Sequence, residues 1–242
     1  MQILPFYQEF DQFQPDELPE VLQLLRTAHV LYLQNGLGQL PASFASLDAS
    51  RPWICYWIIH SLALLDAKLP DKPNADDIVF FLSCCQNPEG GYGGGPMQMS
   101  HLAPTYAAVC ALIELGSETA LRSIDRAKIY TFLKDMAIPA GEIISSWSIS
   151  TEQFHVIYRY INMASFILPM CLFCCPLTCR ERGGGFSIHK GGEGDLRACY
   201  ISMALAHMLC LDMDELIRRS DMVQYVQRCQ VRGEDSFLLF LA

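Results

Sequence analysis

Charged residues are scarce in this chain of 242 residues, and basic residues are the scarcer kind. Only 18% of the residues are charged, and 17 Lys and Arg stand against 26 Asp and Glu, which gives a net charge of -9. No cluster of Lys or Arg occurs, so the sequence argues against a surface that binds nucleic acid. Because 51% of the residues are hydrophobic, the chain can fill a sizeable core.

The first twenty residues lack the apolar stretch of a secretory signal peptide, since they are acidic and contain prolines. We therefore expect a cytoplasmic protein, in which cysteines stay reduced. The chain has 11 cysteines, and several of them, such as Cys55, Cys110 and Cys210, lie within helical apolar patterns. They are predicted to be small core residues rather than members of a disulfide framework.

A unit made of a helix, a glycine-rich loop and a second helix recurs along the chain. The clearest loop covers residues 88–96, where the glycines are predicted to permit tight turns with positive φ. Such repetition indicates a repeat architecture built from helix pairs. Apolar periodicity and capping residues, among them Asp125, predict helices at 21–33, 51–65, 76–86, 104–115, 125–136, 196–211 and 214–230.

Two stretches, residues 142–183 and 231–242, depart from the repeated plan. The first interrupts the third unit, and our hypothesis is that it is translated intron or a gene-model error. It also contains an uncharged run at 160–179 that is long enough for a membrane span, although Pro169 and Pro176 argue against one. Four cysteines of this run could be taken for a metal cluster, but they lack a partner pair at zinc spacing. The sequence alone leaves these alternatives open.

A few polar and aromatic residues stand out as candidates for a site. Trp53 and Trp57 are four residues apart, so both rings project from one face of a helix. Arg197 and Tyr200 are three apart at the start of another helix, and His101 precedes a third. Each has an ordinary structural explanation: core packing for the aromatic rings, an ion pair with Glu193 or Asp195 for the arginine, and helix capping for the histidine.

Three motifs, at residues 47–61, 88–108 and 191–200, together resemble the β subunits of protein farnesyltransferases, most closely those of plants. The resemblance covers roughly residues 20–141 and 184–230. It implies an all-α fold, an α-α barrel (toroid) with two concentric rings of helices, of which this chain holds an incomplete arc of about half the helices. The resulting division is an N-terminal extension at 1–20, repeats at 21–141, an insertion at 142–183, further repeats at 184–230 and a tail at 231–242.

The resemblance also implies an activity, which is the transfer of a farnesyl group from farnesyl diphosphate to the cysteine of a C-terminal C-a-a-X motif. In that family the β subunit works as a heterodimer with an α subunit, and a zinc ion holds the substrate thiolate. By the same resemblance, an isoprenoid and peptide pocket is implied, lined by Trp53, Trp57, His101, Arg197 and Tyr200.

The zinc motifs of the family are not found in this sequence. They are an Asp-Gly-Cys-Tyr type motif and a later Tyr-His-Thr-Cys type motif, and no residue here can be assigned to them or to the diphosphate pocket. We therefore expect this chain to be inactive even when it is mixed with an α subunit. The alternatives are a non-catalytic fragment that binds the α subunit or a prenyl group, and a β subunit for geranylgeranyl transfer.

Overall fold

The structure, a computed structural model, describes residues 24–140 and 183–229. The N-terminal extension, the tail and all of the predicted insertion except Gly183 lie outside the described residues, as do the proposed membrane span and the cysteine cluster. The described part is helical, with isolated β-bridges in place of strands. Its α-helices are α1 Arg26–Gly36, α2 Arg51–Leu64, α3 Ala75–Cys85, α4 Leu102–Leu115, α5 Glu118–Arg122, α6 Arg126–Met136, α7 Leu196–Met208, α8 Met213–Ser220 and α9 Met222–Cys229.

The helices form two rows. The longest three, α2, α4 and α7, lie side by side with α4 in the middle, and we call them the inner row. The outer helix α3 packs on α4, whereas α8 packs on both α6 and α7. The core lies between the rows and includes Leu82, Leu112, Ile129, Leu133 and Leu205, all fully buried.

Side chains before the first turn fix where several helices begin. Asn74 and Asp77 form a capping box on α3, and Asp125 accepts a hydrogen bond from the Lys128 N–H, which confirms the predicted cap of α6. Ser50 precedes α2, but its side chain makes no capping bond there. The start of α2 instead relies on Pro52, whose fixed φ suits the first turn of a helix.

Some predicted boundaries were wrong. The single helix predicted at 214–230 is two helices, α8 and α9, because Asp221 between them adopts φ +45° and ends the first. The first helix continues to Gly36 rather than ending at residue 33. A 3-10 helix at Ala42–Ser50 and the short α5 were not predicted.

The glycines of the loop at 88–96 serve two different purposes. Gly90 and Gly91 adopt φ +101° and +74°, as predicted for tight turns. Gly94 does not have a positive φ; a Cβ there would lie 1.9 Å from the carbonyl oxygen of Ala49. The prediction of positive φ was therefore wrong for part of the loop, where glycine instead permits close contact between backbone segments.

The glycine loop at 88–96, which we call the second loop, and the one at 183–195, which we call the third, repeat the same backbone hydrogen bonds. In the second, Asn87 N–H donates to the Gly91 carbonyl and Gly93 N–H donates to the Cys85 carbonyl. In the third, Ile138 N–H donates to the Gly185 carbonyl, and Ser187 N–H donates to the carbonyl of Met136, the last residue of α6. The bridges Gln86–Tyr92 and Ala137–Phe186 also correspond. The third loop is therefore complete in residues on either side of 141–182.

No disulfide joins the cysteines among residues 24–140 and 183–229. Cys110 is buried and Cys55 is partly buried, but Cys210 is exposed, so its assignment to the core was wrong. No helix among residues 24–140 and 183–229 is both long and apolar enough to cross a membrane.

Candidate functional site

An aromatic cluster lies along the inner row, formed by Trp53, Tyr56, Trp57, Tyr106 and Tyr200. The Trp53 ring centroid lies 5.4 Å from that of Trp57, 6.2 Å from that of Tyr56 and 5.9 Å from that of Tyr106 on α4. Tyr106 in turn lies 6.3 Å from Tyr200 on α7. The rings are tilted, as aromatic pairs prefer. One aromatic surface therefore continues across all three helices of the row.

The cluster is only partly covered by protein. Trp53, Tyr56, Trp57 and Tyr106 are partly buried, and Tyr200 is 61% exposed. Burial raises the pKa of Tyr106, with contributions from Cys110 and Tyr200, and burial also raises the pKa of Tyr56. The hydroxyls of Tyr56 and Tyr106 therefore stay protonated, and their rings offer an uncharged surface that an apolar molecule could cover.

Arg197 is held at the start of α7 by Asp195. The Asp195 carboxylate accepts hydrogen bonds from Nε of Arg197 at 3.0 and 3.1 Å and from Nη2 at 2.5 Å, and it also caps the helix through the Arg197 N–H. The ion pair anticipated from the sequence therefore forms with Asp195. Because the pair is part-buried, the guanidinium is fixed near Tyr200, one turn further along the same helix.

His101 occupies the same place on α4 as Asp195 does on α7. Its Nδ1 accepts the Ala103 N–H at 3.1 Å, so the capping contact considered from the sequence is present. Its ring lies 5.6 Å from that of His189, to which the backbone is bridged. Burial, and then the charges of His189 and Arg197, lower the pKa of His101 to about 4, so the ring is neutral at physiological pH.

The structure divides the predicted site residues into two groups. Trp53, Trp57 and Tyr200 belong to the aromatic cluster, whereas His101 and Arg197 lie at the amino ends of α4 and α7. Sequence reasoning missed two members of the cluster, Tyr56 and Tyr106. Tyr106 could have been found, because it follows the cap of α4 by the same interval at which Tyr200 follows the cap of α7.

The residues that the structure describes do not fit a metal ion. Among them, no group of three or more His, Cys, Asp and Glu side chains is arranged to hold one. A zinc site needs at least three such protein ligands.

Comparison with known proteins supports a family assignment. The family model described as "Prenyltransferase alpha-alpha toroid domain" matches residues 24–174 and 170–237. Two plant relatives are both named protein farnesyltransferase subunit beta. The one from Arabidopsis thaliana is 36% identical over 94% of this chain, and the one from Pisum sativum is 36% identical over 86%. A relative of the same name from Pyricularia oryzae is 30% identical over 85% of the chain.

The chain spans only part of those relatives. The matched region is 38% of the length of each plant protein and 34% of the fungal one. The family model nevertheless covers most of this chain, and the paired rows of helices joined by glycine loops are those expected of an α-α toroid. The chain belongs to the prenyltransferase α-α toroid family.

Proposed function

We propose that the chain acts as a protein farnesyltransferase β subunit whose described residues bind the isoprenoid of farnesyl diphosphate. The aromatic cluster carries this proposal. It presents flat ring surface along three neighbouring helices, which suits a flat, unsaturated hydrocarbon chain. Burial of such a chain stabilises the complex by about 0.8 kcal/mol for each CH₂-sized group removed from water.

The polar residues at the amino ends of the inner row would bind the more polar end of the substrates. Arg197 keeps its charge and is oriented by Asp195, so it can approach an anionic group while staying paired. His101 is neutral and its Nδ1 accepts the capping hydrogen bond, so its proton lies on Nε2, which can act as a donor. We assign these two residues to the isoprenoid and peptide pocket alongside the aromatic cluster.

The rest of the activity is proposed from the relatives. A farnesyltransferase β subunit implies an α subunit as partner, farnesyl diphosphate and a C-a-a-X protein as substrates, zinc as cofactor and a cytoplasmic location. A non-catalytic chain that binds the isoprenoid but does not transfer it is the second candidate, and it uses the same site. It is favoured by one observation, that no group of side chains able to hold a metal ion occurs among residues 24–140 and 183–229.

Fluorescence of the tryptophans tests the binding. The chain has three tryptophans, and a Trp147→Phe variant leaves Trp53 and Trp57 as the only emitters. Titration with farnesyl diphosphate is expected to change their emission in a saturable manner. A parallel assay with an α subunit and a C-a-a-X peptide is expected to yield no farnesylated peptide. Absence of saturable binding would refute the isoprenoid site, and turnover would refute the inactive form of the proposal.

A further inference from the structure

The outer helix α9 has an apolar face that is less covered than the same face of the other outer helices. The repeats make the comparison possible, because Gly91 of the second loop approaches the ring of Phe132 on α6, and Gly185 of the third loop approaches the ring of Tyr225 on α9. Phe132 and Tyr225 are therefore equivalent positions. Each residue of α9 then corresponds to the residue of α6 that precedes it by 93 positions.

Val226 is the residue at which α9 departs from this correspondence. Its counterpart on α6 is Leu133, and the counterpart on α3 is Leu82, a further 51 positions earlier. Leu82 and Leu133 are both fully buried, whereas Val226 is 42% exposed. Val223, one turn earlier on α9, is 48% exposed. The repeat therefore places an apolar side chain of α9 at a core position, and the described residues cover it only in part.

The residues that follow α9 include an apolar segment. Residues 237–242, which lie outside the described residues, read Phe-Leu-Leu-Phe-Leu-Ala and contain no charge, whereas the link at 230–236 holds three charged residues. Phe237 follows Cys229 by eight residues, which can span about 26 Å. Val226 is only about 4.5 Å from Cys229 along the axis of α9. The link is therefore long enough for the segment to return to this face.

We propose that residues 237–242 pack on the face of α9 that carries Val223 and Val226, and that they cap this end of the repeats. The apolar surfaces of the segment and of α9 are then removed from water together. A short link gives the segment a high local concentration at this face, so docking within one chain is favoured over association of two chains. Repeat proteins need a cap, because the face that a further repeat would cover is apolar. This inference does not depend on the proposed isoprenoid site.

A photo-crosslinker on α9 tests the docking in the full chain. With p-benzoylphenylalanine in place of Val223, irradiation of the purified monomer is expected to link position 223 to residues 237–242 of the same molecule, as located by mass spectrometry. Gln224 is the control position on the same helix. It is exposed, as are its counterparts Thr131 on α6 and Phe80 on α3, so this position faces outward in all three helices. The crosslinker at position 224 should not form the link.

Hydrogen exchange of the α9 amides tests whether the segment protects the helix. The variant Leu238→Asp/Leu239→Asp puts two charges into the apolar segment, so docking would leave them without water. The segment is expected to detach, and the α9 amides should exchange about tenfold faster than in wild type. The matched control, Gly233→Asp/Ser236→Asp, adds the same two charges to the link and should leave the exchange rates unchanged.

Either measurement can overturn the proposal. A link from position 223 to a second molecule would show that another copy covers the face, and the absence of any link to residues 237–242 would show that the segment does not. Equal exchange rates of α9 in wild type and in Leu238→Asp/Leu239→Asp would also contradict it. Faster exchange of the same size in both double variants would mean that added charge, and not loss of the cap, exposes α9. If Leu238→Asp/Leu239→Asp does not fold, the crosslinks from positions 223 and 224 decide alone.

Discussion

At the scale of single residues, His101 links the cap of α4 to the pH of the solution. Its folded-state pKa of about 4 lies below the ordinary histidine value of 6.5. Between these two values the unfolded chain binds a proton at this residue and the folded chain does not. The contribution of His101 to the free energy of unfolding is therefore complete above pH 6.5 and is lost as the pH falls toward 4.

Replacement of His101 by Asn should remove that part of the pH dependence. Asn also caps helices but does not titrate, so the cap is kept while the linked proton is lost. Urea denaturation from pH 7 to pH 4 should show that wild type loses up to about 2 kcal/mol more than His101→Asn over this interval. If the two proteins lose the same free energy of unfolding between pH 7 and pH 4, protonation of the His101 ring does not destabilise the folded chain.

Trp53 is the residue on which the proposed isoprenoid site depends most. It contacts rings on its own helix and also Tyr106 on α4, so it connects two helices of the inner row. Trp53→Leu is expected to lower the affinity for farnesyl diphosphate about tenfold, because one large flat surface is lost. A displacement assay with a fluorescent farnesyl analogue measures this.

Phe80 offers a matched control for that substitution. It lies on the outer helix α3, away from the aromatic cluster, and is 72% exposed. Phe80→Leu should leave the affinity for farnesyl diphosphate unchanged. Equal losses in the two variants would mean that the effect of Trp53→Leu comes from the stability of the fold and not from the site.

At the scale of elements, two glycine loops pack against an aromatic ring of a later helix, which is α6 for the loop with Gly91 and α9 for the loop with Gly185. A Cβ on Gly91 would lie 2.8 Å from the ring of Phe132, and one on Gly185 would lie 2.7 Å from the ring of Tyr225. Both glycines also have positive φ, at +74° and +79°. The glycine is thus required twice, for its backbone conformation and for the space above the ring.

Substitutions by alanine can separate these two requirements. Gly191 has a similar φ of +75°, but a Cβ there would meet nothing within 4 Å. Gly191→Ala should therefore destabilise the fold by about 1 kcal/mol, the cost of the backbone conformation. Gly91→Ala and Gly185→Ala should cost about 2–4 kcal/mol, because the ring must also move. Equal losses at all three sites in urea denaturation would contradict the role given to the rings.

The sequence predicted the elements better than it predicted their ends and contacts. Apolar spacing was enough for α6, whose predicted face, Ile129, Phe132, Leu133 and Met136, is buried. It could not show the break at Asp221, because an aspartate rarely adopts positive φ and nothing in the spacing marks it. The position of Tyr106 could be matched to that of Tyr200 by its distance from the helix cap, but its contacts with Trp53 and Tyr200 on other helices are revealed only by packing.

At the scale of the whole molecule, the described residues hold one continuous series of repeats. The last residues before position 141 and the first after 182 are bridged to each other, Ala140 to Gly183. Further from this point, the third loop has the hydrogen bonds of the second loop. Residues on both sides of the predicted insertion therefore form the third repeat together. That the segment between them is an insertion is our proposal.

Removal of residues 141–183, which are the predicted insertion at 142–183 and the glycine before it, tests whether the insertion contributes to the fold. Joining Ala140 to Gly184 gives the run Pro139, Ala140, Gly184, Gly185, Phe186, which has the length and the glycines of Pro88–Tyr92 in the second loop. Because every corresponding hydrogen bond can be kept, the shortened chain should unfold cooperatively with a Tm within about 5 °C of the full chain.

A deletion one residue longer, which also removes Gly184, leaves the loop too short to bridge Ala137 to Phe186, and it should lower Tm by about 10 °C or more. Equal Tm values for the two deletions would show that the segment belongs to the repeat and is not an insertion into it. Loss of the cooperative transition in the chain that lacks only residues 141–183 would show the same.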